Sequence, residues 1–99
     1  MAIKVFIKRR IKPGKQAEVG RLITQARYNA MAQNGYISSE TYTAIDDPHR
    51  IVVLSMWHDL ADWYAYRECA QRVEHEAEML ALLSESPTYE IYRLGLVPE

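Results

Sequence analysis

The sequence predicts an α+β domain in which two helical stretches lie on one face of an antiparallel sheet, and three observations carry that expectation. Four segments alternate in side-chain character with the period of two that belongs to strands. Two others repeat apolar residues every three or four positions, as helices do. Pro, Gly, Asn and Asp clusters punctuate the intervals between them. At 99 residues and 11.5 kDa the chain fits one domain over residues 1–99, too small for a dinucleotide-binding fold.

The first strand runs from Ile3 to Ile11, with Ile3, Val5, Ile7, Arg9 and Ile11 on one side and Phe6 interrupting an otherwise cationic opposite side. Lys12-Pro13-Gly14-Lys15 turns the chain, since proline is tolerated at a helix start where its missing N–H is no loss. From Gln16 onward, Val19, Leu22, Ile23, Ala26 and Ala30 form an apolar helical stripe, and Asn34-Gly35 stops it because glycine takes the left-handed cap. Tyr36 to Ala44 alternates without a strongly apolar face, which predicts an edge strand. Asp46-Asp47-Pro48-His49 supplies the next turn. Arg50 to His58 carries Ile51, Val53, Ser55 and Trp57 on one side and Val52, Leu54 and Met56 on the other, as a central strand covered twice requires.

Asp59 is placed as the cap of a second helix from Leu60, whose buried face runs through Trp63, Tyr66, Ala70, Val73, Ala77 and Leu80 with room for a bend near Ala70 to Arg72. Thr88 to Leu94 reads as the last strand. The order strand, helix, strand, strand, helix, strand suits a ferredoxin-like split-βαβ fold. Helices on one face leave the other bare with Phe6 in it, so the sequence predicts a homodimer whose sheets face one another in a dimeric α/β barrel.

Twelve Lys plus Arg against thirteen Asp plus Glu leave a net charge of -1, which offers no global attraction for nucleic acid or an anionic membrane surface. Residues 1–15 hold six cations and no acid, while acids dominate from Asp59 onward, a separation that suits contacts within the fold or between subunits. No signal-peptide pattern precedes the first strand, and a cytoplasmic location is expected. The single cysteine, Cys69, forms no internal disulfide and no multi-thiolate centre. His49, His58 and His75 lack metal-ligand spacing, and Gly14 and Gly35 are isolated, so neither a metal nor a cofactor is expected.

The strongest chemical feature is aromatic. Trp57 ends the central strand, Trp63, Tyr64 and Tyr66 open the second helix, and His75 falls close to the Trp63 face further along it. Between helices and sheet such residues would hold a flat substrate, with His75 as general base, Trp63 and Tyr66 beside the reacting ring, and Arg9 and Trp57 binding it. The same residues also suit an ordinary core with a surface histidine.

The Lys12-Pro13-Gly14-Lys15 turn, Ile51-Val52-Val53-Leu54-Ser55-Met56-Trp57 running into His58-Asp59-Leu60-Ala61-Asp62-Trp63, and the closing Tyr89-Glu90-Ile91-Tyr92 resemble the antibiotic biosynthesis monooxygenase (ABM) family over residues 2–95. The resemblance implies a dimeric domain whose relatives include quinol monooxygenases, cofactor-free oxygenases of polyketide aromatics, and haem-degrading enzymes. For the haem-degrading branch, Trp63 matches the expected tryptophan, but Ile7 and Val73 stand where asparagine and histidine are required. Haem chemistry is therefore demoted, and His75 restores a ligand only in a different helix register. The leading expectation is a cofactor-independent oxidoreductase, a monooxygenase of a hydroquinone or polycyclic phenol. Its rival is a non-catalytic dimer that binds a small aromatic ligand or serves structure alone.

Overall fold

The computed structural model describes residues 1–98. Its elements are β1 (Ile3–Arg10), α1 (Gln16–Met31), β2 (Tyr36–Ala44), β3 (Asp47–Trp57), α2 (Leu60–Glu68), α3 (Ala70–Leu80) and β4 (Thr88–Arg93). The strands form one antiparallel sheet in the order β2-β3-β1-β4, which is the split-βαβ topology. The expected closed barrel is overturned: the sheet is open, with β2 and β4 as unjoined edges. The expected barrel drew its strands from two facing sheets; the sheet of this chain has four, half of the roughly eight that small barrels use, and it stays open.

Both helical segments cover the face that carries Ile3, Val5, Ile7 and Arg9 of β1 and Ile51, Ser55 and Trp57 of β3, all buried. Two apolar clusters form there. One gathers Ile3, Val5, Ile7, Ala30, Trp57, Trp63 and Tyr66, the other Ile11, Val19, Ile51, Met79 and Leu83. Trp57 and Trp63 are essentially inaccessible, and truncating either to alanine would cost about 3–5 kcal/mol. The charge separation is resolved inside the chain, where Lys8 pairs with Glu90, Arg9 with Glu76 and Arg10 with Glu85.

Three local expectations change. The β2–β3 hairpin turns at Ile45-Asp46 rather than around Pro48, because Asp47 already pairs with Ala44 and its carboxylate accepts from the His49 N–H at 2.9 Å. Asp59 precedes α2 but makes no side-chain cap; its carboxylate takes the Met1 ammonium at 2.8 Å, which holds its pKa below the ordinary carboxylate range.

The third change reshapes the site. The expected continuous second helix is two helices, broken at Cys69, whose backbone is extended (φ -66°, ψ 146°). The break resets the helical phase. Instead of Val73, Ala77 and Leu80, α3 buries Arg72, His75 and Met79, leaving Val73 56% and Leu80 50% exposed. Charged side chains are thereby turned toward the sheet.

No helix among the described residues is long and apolar enough to cross a membrane.

Candidate active site

A cavity of about 200 Å³ lies between the sheet and the helices, at the seam of the two apolar clusters. Ile7, Val53 and Ser55 form its floor, and Ile23, Ala26 and Ala30 of α1 face them. The α1 stripe thus covers a hollow, which is why Ile23 and Ala26 are only half-buried.

The aromatic wall is built by the end of β3 and the first turns of α2. Trp57 stacks on Tyr66 with centroids 5.1 Å apart and planes at 27°, while Trp63 leans on both at 6.1 Å. Tyr36 meets Trp57 edge-on at 5.6 Å, in the arrangement that the ring quadrupoles favour. The Trp57 indole N–H donates to Ser55 Oγ at 3.1 Å, so its orientation is fixed. Tyr66 O–H donates a long 3.4 Å bond to the Ala26 carbonyl, and burial pushes its pKa up against the opposing Arg72 charge. Tyr66 is therefore a neutral hydrogen-bond donor.

The opposite end is charged. Glu76 Oε1 accepts from the Arg9 guanidinium and from Arg72 Nη2, the latter at 2.9 Å. Arg72 Nη2 reaches the Tyr89 hydroxyl at 3.1 Å, and its guanidinium carbon sits 5.2 Å over the Trp63 ring. Arg9 is only 6% exposed, on the same side of β1 as Ile7. Two buried donors here, Arg9 Nε and Trp63 Nε1, have no hydrogen-bond partner among the described residues.

Of the residues expected at the site, Arg9, Trp57, Trp63 and Tyr66 share this cavity. The expected base does not: His75, on the same helix as Arg72, faces α1, with Nε2 2.6 Å from the Leu22 carbonyl oxygen, and does not line the cavity. Its position in a continuous helix would have matched Trp63; the Cys69 break moves it. Arg72 and Glu76 were missed because a continuous helical repeat puts Val73 and Ala77 on the buried face instead. Their i, i+4 spacing of opposite charges was the available signal. Among the described residues no three His, Cys, Asp or Glu side chains gather as a metal site.

The sequence model of the antibiotic biosynthesis monooxygenase family matches residues 2–83. No curated protein matches the sequence. Among solved structures, a conserved protein from Methanosarcina mazei Go1 superposes with a TM-score of 0.88 at 22% identity, over 94% of this chain and 92% of that one. A Mycobacterium tuberculosis protein gives 0.83 at 15% identity, over 100% and 98%. SnoaB, a cofactor-independent oxygenase from Streptomyces nogalater, gives 0.83 at 16% identity with both chains covered in full. At these identities the superpositions establish a shared fold.

Proposed function

The chain belongs to the antibiotic biosynthesis monooxygenase family, and from that premise we propose that its cavity is the active site of a cofactor-independent monooxygenase acting on a hydroquinone or polycyclic phenol. One observation carries the reading: a sheltered hollow whose wall is an indole stacked on a phenol with a second indole tilted against both, and whose far end holds two guanidiniums. Flat apolar walls suit an aromatic ring, and fixed cations suit the negative oxygen of its ionised form. At about 200 Å³ the hollow lies below the roughly 300–1,000 Å³ of drug-sized clefts, which favours the smaller members of that class.

An electron-rich phenolate can pass one electron to O₂ without help from a second redox group. Recombination of the resulting radical with superoxide, with a proton taken up from solvent water, forms a C–O bond and a hydroperoxide. Loss of water then leaves a quinone, with one oxygen atom retained, the other in water, and all reducing electrons drawn from the substrate. Arg9, Arg72 and the Tyr66 hydroxyl, on turning from the Ala26 carbonyl, would steady the negative oxygen, while Trp57 and Trp63 hold the ring plane. The test is oxygen uptake over a panel of hydroquinones and phenolic polycycles, with heat-unfolded protein as control, and labelled O₂ to trace one atom into product. Turnover of none, with ligands still bound, would establish a binding protein instead.

We further propose a homodimer formed through the helix-free sheet face, in a cytoplasmic protein. Phe6, Leu54 and Met56 lie half-buried on that face, and Phe6 packs edge-on against Tyr92 with centroids 5.4 Å apart. Light scattering at low micromolar concentration should give twice the chain mass of 11.5 kDa; a persistent monomer would refute pairing.

A further inference from the structure

The cavity carries more positive charge than its own residues neutralise. Arg9 on β1, Arg72 on α3 and, at the exposed rim, Arg27 on α1 stand against one carboxylate, Glu76. The remaining titratable wall groups are the phenols of Tyr36 on β2 and Tyr66 on α2, and Tyr89 on β4 holds Arg72 from outside the hollow. Among the described residues no lysine or histidine lines it. The one carboxylate on the wall is already engaged, since its Oε1 accepts from both guanidiniums. Arg9 Nε and Trp63 Nε1 meanwhile lack acceptors, and buried donors are rarely left so.

We propose that the Arg9–Glu76–Arg72 cluster makes the cavity anion-selective, so that it binds its phenolic ligand as the phenolate and the proton passes to solvent water rather than to a side-chain base. The inference rests on the reading of the cavity as a phenol site. In this step a phenol becomes a bound phenolate and a hydrated proton, and no electron moves. Burial strengthens the attraction between the phenolate and the guanidiniums, because little water screens them. Glu76 has two effects: it holds both arginines in place, and its own charge moderates their pull.

The probes are 4-nitrophenol, whose phenolate is visibly coloured, and 4-nitroanisole, its methyl ether, which cannot ionise. On wild-type protein, bound 4-nitrophenol should ionise at least about one pH unit below the free molecule, a roughly tenfold preference for the phenolate. Arg72→Met should weaken phenolate binding at least about tenfold and leave 4-nitroanisole unchanged, whereas Glu76→Gln should tighten the phenolate. A damaged cavity would weaken both probes in both variants, so opposite directions separate charge from distortion. Absence of phenolate binding to wild type, equal affinity for the two protonation states, or parallel loss of both probes overturns the proposal. Neither probe requires oxygen chemistry, so a failed oxygen assay beside a preserved phenolate preference would overturn the oxygenase reading and leave this inference standing.

Discussion

His75 Nε2 lies 2.6 Å from the main-chain oxygen of Leu22. A carbonyl oxygen only accepts, so Nε2 carries the proton and donates it, tying α3 to α1. His75→Ala should therefore cost about 1–3 kcal/mol of stability, from a lost hydrogen bond and a partly vacated space. In a domain of this size that lowers Tm by roughly 4–8 °C per kcal/mol. Turnover per folded molecule should hold; a loss of turnover at unchanged Tm would return His75 to the chemistry.

Trp63→Phe tests the unmatched indole. Its N–H makes no bond among the described residues, so the substitution breaks none of their hydrogen bonds. A negatively charged ligand oxygen that accepts from Nε1 would lose about 1.5–3 kcal/mol, or roughly ten- to a hundredfold in kcat/KM. Steady-state kinetics with a folded variant decide it, and a value near wild type would show that Trp63 only packs.

Gly35 is bound by both backbone and space. Its φ is +82°, and an added Cβ would fall 2.1 Å from Asp62 Oδ2 and 2.6 Å from Asp62 Cβ. Gly35→Ala should cost at least about 1–3 kcal/mol for the left-handed conformation, plus whatever it takes to displace the first turn of α2. Because that turn carries Trp63, urea denaturation and ligand affinity should fall together, and an unchanged midpoint would show that Asp62 swings aside freely.

Tyr66 gives an alkaline signature. Burial raises its pKa above the ordinary phenol value, so near pH 10 the folded protein keeps a proton that the unfolded chain releases. Its contribution to stability is intact below the unfolded value and is lost as pH rises through the folded one. Tyr66→Phe removes this loss. Denaturation at stepped pH should show wild type losing ground to the variant only above about pH 10; a pH-independent gap would mean that water reaches the phenol.

The strands were legible because side-chain alternation records which face is covered, and Phe6 and Arg9 fell on the faces that their positions imply. Trp57, Trp63 and Tyr66 were legible as a group because a strand end and the helix start after it must lie side by side. The charged end of the cavity was not. No glycine or proline marks the extended residue Cys69, so the α2 repeat was carried forward and pointed to Val73 and His75 rather than Arg72 and Glu76. The closed barrel failed for another reason, since alternation shows that a sheet face is apolar but not what lies against it.

The one-residue joint at Cys69 makes chain length a dial on ligand chemistry. Removing a residue there turns everything downstream on α3 by about 100°, enough to exchange one face of the helix for another. Arg72 and Glu76 would swing away, Val73 and Ala77 would take their place, and Arg9 on β1 would face the hollow without its carboxylate partner, all without a single substitution in the wall. Insertions and deletions at such a joint offer these domains a way to change what they accept in one step, while the sheet beneath stays as it is.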